Sequence, residues 1–69
     1  MKYIKETAAG TAGRPNIQTE ITRAEALEHV TEQDLQDMED FVRSHDPHFP
    51  GIIELLEVGP GTYVGVSAN

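Results

Sequence analysis

Polar and apolar residues alternate at the start of the chain. Lys2-Tyr3-Ile4-Lys5 has the two-residue period of a short strand. Ile17, Thr19 and Ile21 alternate with Gln18 and Glu20, which predicts a second, half-buried strand. Between them, Ala8 to Pro15 is small, glycine-containing and poor in large apolar groups, so a flexible loop is expected over 8–15.

The period then changes. At about 100° per residue, Leu27, Val30, Leu35, Met38, Phe41 and Val42 fall on one arc of a helix. Asp34 falls inside that arc, so one continuous helix would turn a carboxylate towards the core. Two hydroxyl caps offer a way out. Thr22-Arg-Ala-Glu25 fits a capping box, in which the threonine hydroxyl and the glutamate carboxylate each satisfy an orphan N–H. Thr31-Glu-Gln-Asp34 is a weaker version. They predict two consecutive helices, 23–30 and 32–44, with Asp34 in a first turn, where negative charge suits the helix dipole. Arg43 and His45 sit at the opposite end, where positive charge suits it.

Asp46-Pro47-His48-Phe49-Pro50-Gly51 stops the helix. Ile52 to Val58 is apolar and rich in β-branched residues, interrupted by Glu54 and Glu57. Gly59-Pro60-Gly61 suits the centre of a type II turn, and Thr62 to Ser67 is a matching strand. The expected architecture is a single α+β domain over 1–69. It has a small antiparallel sheet, made of a C-terminal hairpin and N-terminal strands, with two short acidic helices packed on one face. The strand order stays open.

Composition narrows the picture. A chain of 69 residues buries only about 60% of the surface its unfolded form exposes, so one modest core is expected. It contains no cysteine, which excludes disulfides and thiolate metal sites and fits a reducing cytoplasm. No apolar leader and no run near the roughly 20 residues of a membrane span is present. The net charge of −7 disfavours direct binding to nucleic acid or an anionic membrane and favours a basic partner.

That charge is concentrated. Glu25, Glu28, Glu32, Asp34, Asp37, Glu39 and Asp40 lie within one stretch that holds no Lys or Arg. At 1.5 Å per helical residue the mean spacing is roughly 3–4 Å, close to the phosphate spacing of about 3.4 Å along one DNA strand. On the helical wheel Glu25, Glu28, Glu32, Glu39 and Asp40 lie opposite the apolar arc, with Asp37 at the edge. The plain alternative is a solvated face that keeps the protein soluble. Against it stand the like-charge neighbours Glu25/Glu28, Glu28/Glu32, Asp34/Asp37 and Asp37/Asp40, each costing on the order of 0.2–0.5 kcal/mol.

Other chemistry is thinner. His45 and His48, with His29 upstream, carry imidazoles, but they straddle a proline loop and do not share a helix face, so no metal is expected. Pro60 removes a donor from Gly59-Pro60-Gly61, and no Lys of a phosphate loop follows. Ser44 and Ser67 lack a nucleophile context. The chain is expected not to be an enzyme and to carry no cofactor.

The acidic run Glu25–Asp40, with Glu54 and Glu57 as outliers, resembles small phage-encoded anti-CRISPR proteins and other nucleic-acid mimics. The resemblance implies a compact α+β inhibitor in a bacterial host cytoplasm, one that occupies the basic channel or the PAM-reading surface of a type I Cascade complex. The expected partner is thus a basic nucleic-acid-binding protein or nucleoprotein complex. The expected contact residues are Glu25, Glu28, Glu32, Asp37, Glu39 and Asp40, on a monomer or weak homodimer. The competing expectation is a regulatory or structural module that binds through the apolar 52–58 hairpin, as a homodimer in one form.

Overall fold

The computed structural model describes residues 1–10 and 16–69. Of the loop expected over 8–15, residues 11–15 lie outside the described residues. The alternating N-terminal segments form β1 (Lys2–Thr7) and β2 (Ile17–Ile21). The C-terminal hairpin forms β3 (Ile53–Gly59) and β4 (Thr62–Ser67), joined through Pro60 and Gly61. Gly61 has φ +68°, the left-handed conformation that the third position of a type II turn requires. All neighbours pair antiparallel in the order β2-β1-β4-β3, so the first and last strands lie together at the centre.

The two predicted helices are present, but the first is shorter than expected. α1 (Arg23–Ala26) is a single turn, where the sequence pattern predicted 23–30. After Leu27, whose N–H donates to the Arg23 carbonyl, the bonds tighten. Glu28 N–H donates to Glu25 and His29 N–H to Ala26, three residues back instead of four. The tightening turns Val30 into the core and lets Thr31 take the extended conformation of an N-cap (φ −74°, ψ 159°). Thr31 Oγ1 accepts from Asp34 N–H at 3.1 Å, and α2 (Glu32–His45) begins there. Thr31→Ala is expected to cost about 1 kcal/mol, the usual value of a hydroxyl cap. Thermal denaturation of the variant checks this; an unchanged midpoint would show that the cap is idle.

The helices cover one face of the sheet. Ala26, Val30, Leu35, Met38 and Val42 pack on Val64 and Val66, with Tyr3, Ile21, Leu27, Ile52, Val58 and Ala68 around them. The pairing register puts Tyr3, Ile21, Val64 and Val66 on this inner face, and Lys2, Ile4, Glu6, Glu20, Leu55, Glu57, Tyr63 and Gly65 on the outer one.

β2 does not follow its expected burial. Ile21 reaches the core, but Ile17 is 59% exposed. β2 is an edge strand, and the helices sit over β1, β4 and β3 instead. β3, the other edge, carries the inward-facing Glu54 and a register shift between Glu57 and Gly59. Both features discourage further strand pairing.

Candidate functional site

The acidic residues sit on a helical layer whose ends are held by local bonds. Thr22 and Glu25 form the predicted capping box. Glu25 N–H donates to Thr22 Oγ1, and Thr22 N–H to Glu25 Oε1, both at 3.1 Å. Glu25 therefore combines a structural bond with an exposed position. Glu28 is exposed on the turn after α1. Glu32 is exposed in the first turn of α2 and accepts from Gln36 Nε2 at 3.1 Å. Asp37 is exposed and accepts from Gln33 Nε2 at 2.9 Å. Asp40 is exposed and paired with Arg43 at 3.1 Å.

Glu39 is placed differently. It is only 6% exposed and sits inside a polar cluster. The Arg23 Nε and Nη2 groups donate to its two oxygens at 3.0 and 3.2 Å, and the Tyr3 hydroxyl donates to Oε2. Arg23 also reaches Glu32, with Nη2 to Oε1 at 2.7 Å. One guanidinium thus joins α1 to both ends of the first half of α2, and Tyr3 ties the cluster to β1.

The reason lies in helix phase. Leu27 and Val30 precede the break at Thr31, so they do not belong to the wheel of α2. Phe41 lies on its exposed flank. The buried residues of α2 are Leu35, Met38, Glu39 and Val42. Glu39 lies four residues from Leu35 and next to Met38, at the margin of the true apolar stripe rather than opposite it. The structure therefore leaves Glu25, Glu28, Glu32, Asp34, Asp37 and Asp40 exposed on the helical layer and turns Glu39 inward.

The expectation of an uncompensated run is corrected at its ends. Arg23 and Arg43 flank the stretch in sequence and fold back to pair with Glu32, Glu39 and Asp40, two positive charges set against three negative ones. The cluster sets its own ionisation. Arg23 holds the Glu39 carboxyl below its ordinary range against the opposing effect of burial, and the Tyr3 hydroxyl lowers it further. Arg23 and then Gln36 lower Glu32. The guanidinium itself is pushed up, chiefly by Glu39 and then Glu32. Burial, followed by Glu39, raises the Tyr3 phenol. Within this cluster both carboxylates are anions at neutral pH.

The histidines do not converge. His45 Nδ1 lies 2.8 Å from the Phe41 carbonyl, and its ring stacks on Phe41 with centroids 4.1 Å apart. The Asp46 carboxylate accepts from Gly51 N–H at 3.1 Å. Among the described residues no three His, Asp or Glu side chains are grouped to hold a metal ion, and no pocket opens. Among the described residues no helix is long and apolar enough to cross a membrane.

Sequence reasoning missed two features. One is the Arg23–Glu39–Tyr3 cluster, whose only local signal is the spacing of Glu39 from Leu35. The other is a row across the outer sheet face, Gln18–Glu6–Tyr63–Glu57, which exists only once the strands are paired. Comparison with protein-family models, with curated proteins and with solved structures gives no significant match.

Proposed function

We propose that this chain is a non-enzymatic interaction protein that lays its acidic helical layer on a basic, nucleic-acid-binding surface and competes there with nucleic acid. One observation carries the reading. Eight carboxylates and only two arginines lie between Thr22 and Asp46, and both arginines are tied to carboxylates of that layer. Glu28, Asp34 and Asp37 are exposed there with no cationic partner among the described residues. The charge left over suits a groove built for phosphates, where complementarity speeds association and selects the partner.

A type I Cascade complex in a bacterial cytoplasm, the target implied by the resemblance to anti-CRISPR proteins, has such a groove. The contact residues in this reading are Glu25, Glu28, Glu32, Asp37 and Asp40. Glu39 serves by positioning α2, since its carboxylate already holds Arg23. The apolar alternative draws less support. Ile53 and Leu56, 42% and 38% exposed, lie on opposite faces of β3 and form no single patch.

Capture of proteins from a bacterial lysate tests the reading at about 0.1 M and about 1 M salt, where the screening length falls from about 10 Å to about 3 Å. Wild-type protein is expected to retain a nucleic-acid-binding complex at low salt only. The variant Glu28→Lys/Glu32→Lys/Asp37→Lys/Asp40→Lys is expected to lose at least a hundredfold in affinity while keeping its circular dichroism. Equal binding by that folded variant would refute the proposal.

A further inference from the structure

The outer face of the sheet, opposite the helices, carries its own arrangement. On it Tyr63 stands between Glu6 on β1 and Glu57 on β3, each directly opposite in the register. Cross-strand partners have Cβ atoms about 5 Å apart, so the Cβ atoms of Glu6 and Glu57 stand on either side of that of Tyr63, about 10 Å from one another. That span leaves room on the ring for a planar cation between the two side chains.

The neighbouring row is apolar. Ile4 and Leu55 both oppose Gly65, and a Leu55 methyl group lies 2.6 Å from where a Gly65 Cβ would stand. Leu55 therefore fills the gap over the glycine and makes an aliphatic floor beside Tyr63. Ile53, opposite Ser67, extends it. No described helix or strand covers this face, since α1 and α2 pack on the other.

Among the described residues the charges at the aromatic end are all negative. Asn16 Nδ2 and Gln18 Nε2 donate to Glu6 at 3.0 and 2.7 Å and hold its carboxyl below the ordinary range, with Gln18 the larger influence. Glu57, and more weakly Glu6, raise the Tyr63 phenol, so the ring stays neutral. The lysine on this face, Lys2, lies in the row of Ser67 and Ile53 and approaches Glu20 at 4.0 Å.

The geometry points to a second docking surface, for an arginine-bearing segment of a partner protein. Its guanidinium lies on Tyr63 between Glu6 and Glu57, and an adjacent apolar side chain rests on Leu55 and Ile53. Arginine fits better than lysine, because its planar group stacks on an aromatic ring while its edge pairs with carboxylates. Phosphate-bearing partners are repelled by the same carboxylates.

The surface is independent of the acidic helical layer, and the two are separable by mapping. The blocked tripeptide acetyl-Val-Arg-Val-amide is titrated into isotopically labelled full-length protein and followed by amide chemical shifts. The control is the same peptide with neutral citrulline in place of arginine. Saturable shifts are expected at Glu6, Leu55, Glu57 and Tyr63, with the citrulline peptide at least about tenfold weaker. Glu57→Gln and Tyr63→Leu are each expected to weaken binding about two- to fivefold. Tyr63→Phe, which keeps the ring, is expected to bind like wild type and covers the case in which Tyr63→Leu does not fold. Shifts confined to α2, equal binding of the two peptides, or wild-type affinity in Glu57→Gln would each overturn the assignment.

Discussion

Gly65→Ala is expected to destabilise this fold strongly, by about 3 kcal/mol. A Cβ at position 65 would stand 2.2 Å from the Glu54 carbonyl oxygen and 2.6 Å from a Leu55 methyl group. The methyl can rotate away. The carbonyl belongs to the backbone of β3 and cannot move without disturbing the pairing of β3 with β4. Gly65 is buried on a central strand, so there is no free edge on which to relieve the clash. Overpacking that forces a backbone shift costs about 3 kcal/mol, the upper part of its usual range. A domain of this length has roughly 3–10 kcal/mol in total. The midpoint of thermal unfolding is therefore expected to fall by about 12–24 °C. Gly59→Ala is the control, since nothing lies within 4 Å of its Cβ position. A Gly65→Ala protein that melts with wild type would mean that β3 and β4 are not paired in this register.

The second large effect is expected at Glu39. Its carboxylate is almost fully buried and bonded to Arg23 and Tyr3. Glu39→Ala breaks three bonds to a charged group at once and opens space beside Met38 and Leu35. A loss of about 2–3 kcal/mol is expected, in line with hydrogen bonds to buried charges. Tyr3→Phe/Arg23→Met/Glu39→Leu is expected to recover most of that loss, because replacing all the partners by apolar groups removes the desolvation cost along with the bonds. Urea denaturation of the single and triple variants measures both values.

The same cluster sets an acid limit. Glu39 and Glu32 have folded-state pKa values below their ordinary ones, with Arg23 as the largest cause. A depressed carboxyl stabilises the fold above its unfolded pKa, about 4.3, and loses that contribution as pH falls through the lower folded value. Wild-type stability is therefore expected to hold from pH 7 to about pH 5 and to drop below about pH 4.3. Tyr3 acts at the other end. Its raised phenol contributes below about pH 10 and ceases to do so as pH rises beyond its folded value. The Tyr3→Phe/Arg23→Met/Glu39→Leu protein is expected to show a shallower acid slope. Parallel acid slopes in the two proteins would rule the cluster out as its source.

The element order was legible because its signals are local. Alternation at Tyr3-Ile4 and Ile17–Ile21, the hydroxyls of Thr22 and Thr31, and Pro60-Gly61 each act within a few residues, and each lies in the element it predicts. The break at Thr31 was readable for the same reason, since Asp34 could not lie on a core-facing arc. The phase of α2 was not. With Leu27, Val30 and Phe41 counted in, the apolar arc swung away from its true centre, and Glu39 looked solvent-facing. Nor was the exposure of Ile17 legible, because it depends on β2 being an edge strand.

By itself, then, the sequence determined the α+β class, the sites of the turns and caps, and the concentration of negative charge on the helical layer. These follow from neighbours along the chain. The tertiary structure decided the order β2-β1-β4-β3, the inward turn of Glu39, and the pairing of Glu32 with Arg23. It also decided the meeting of Glu6, Tyr63 and Glu57 across three strands. Each joins residues that become neighbours only when hydrogen bonding sets the strand register and core packing sets the helix phase.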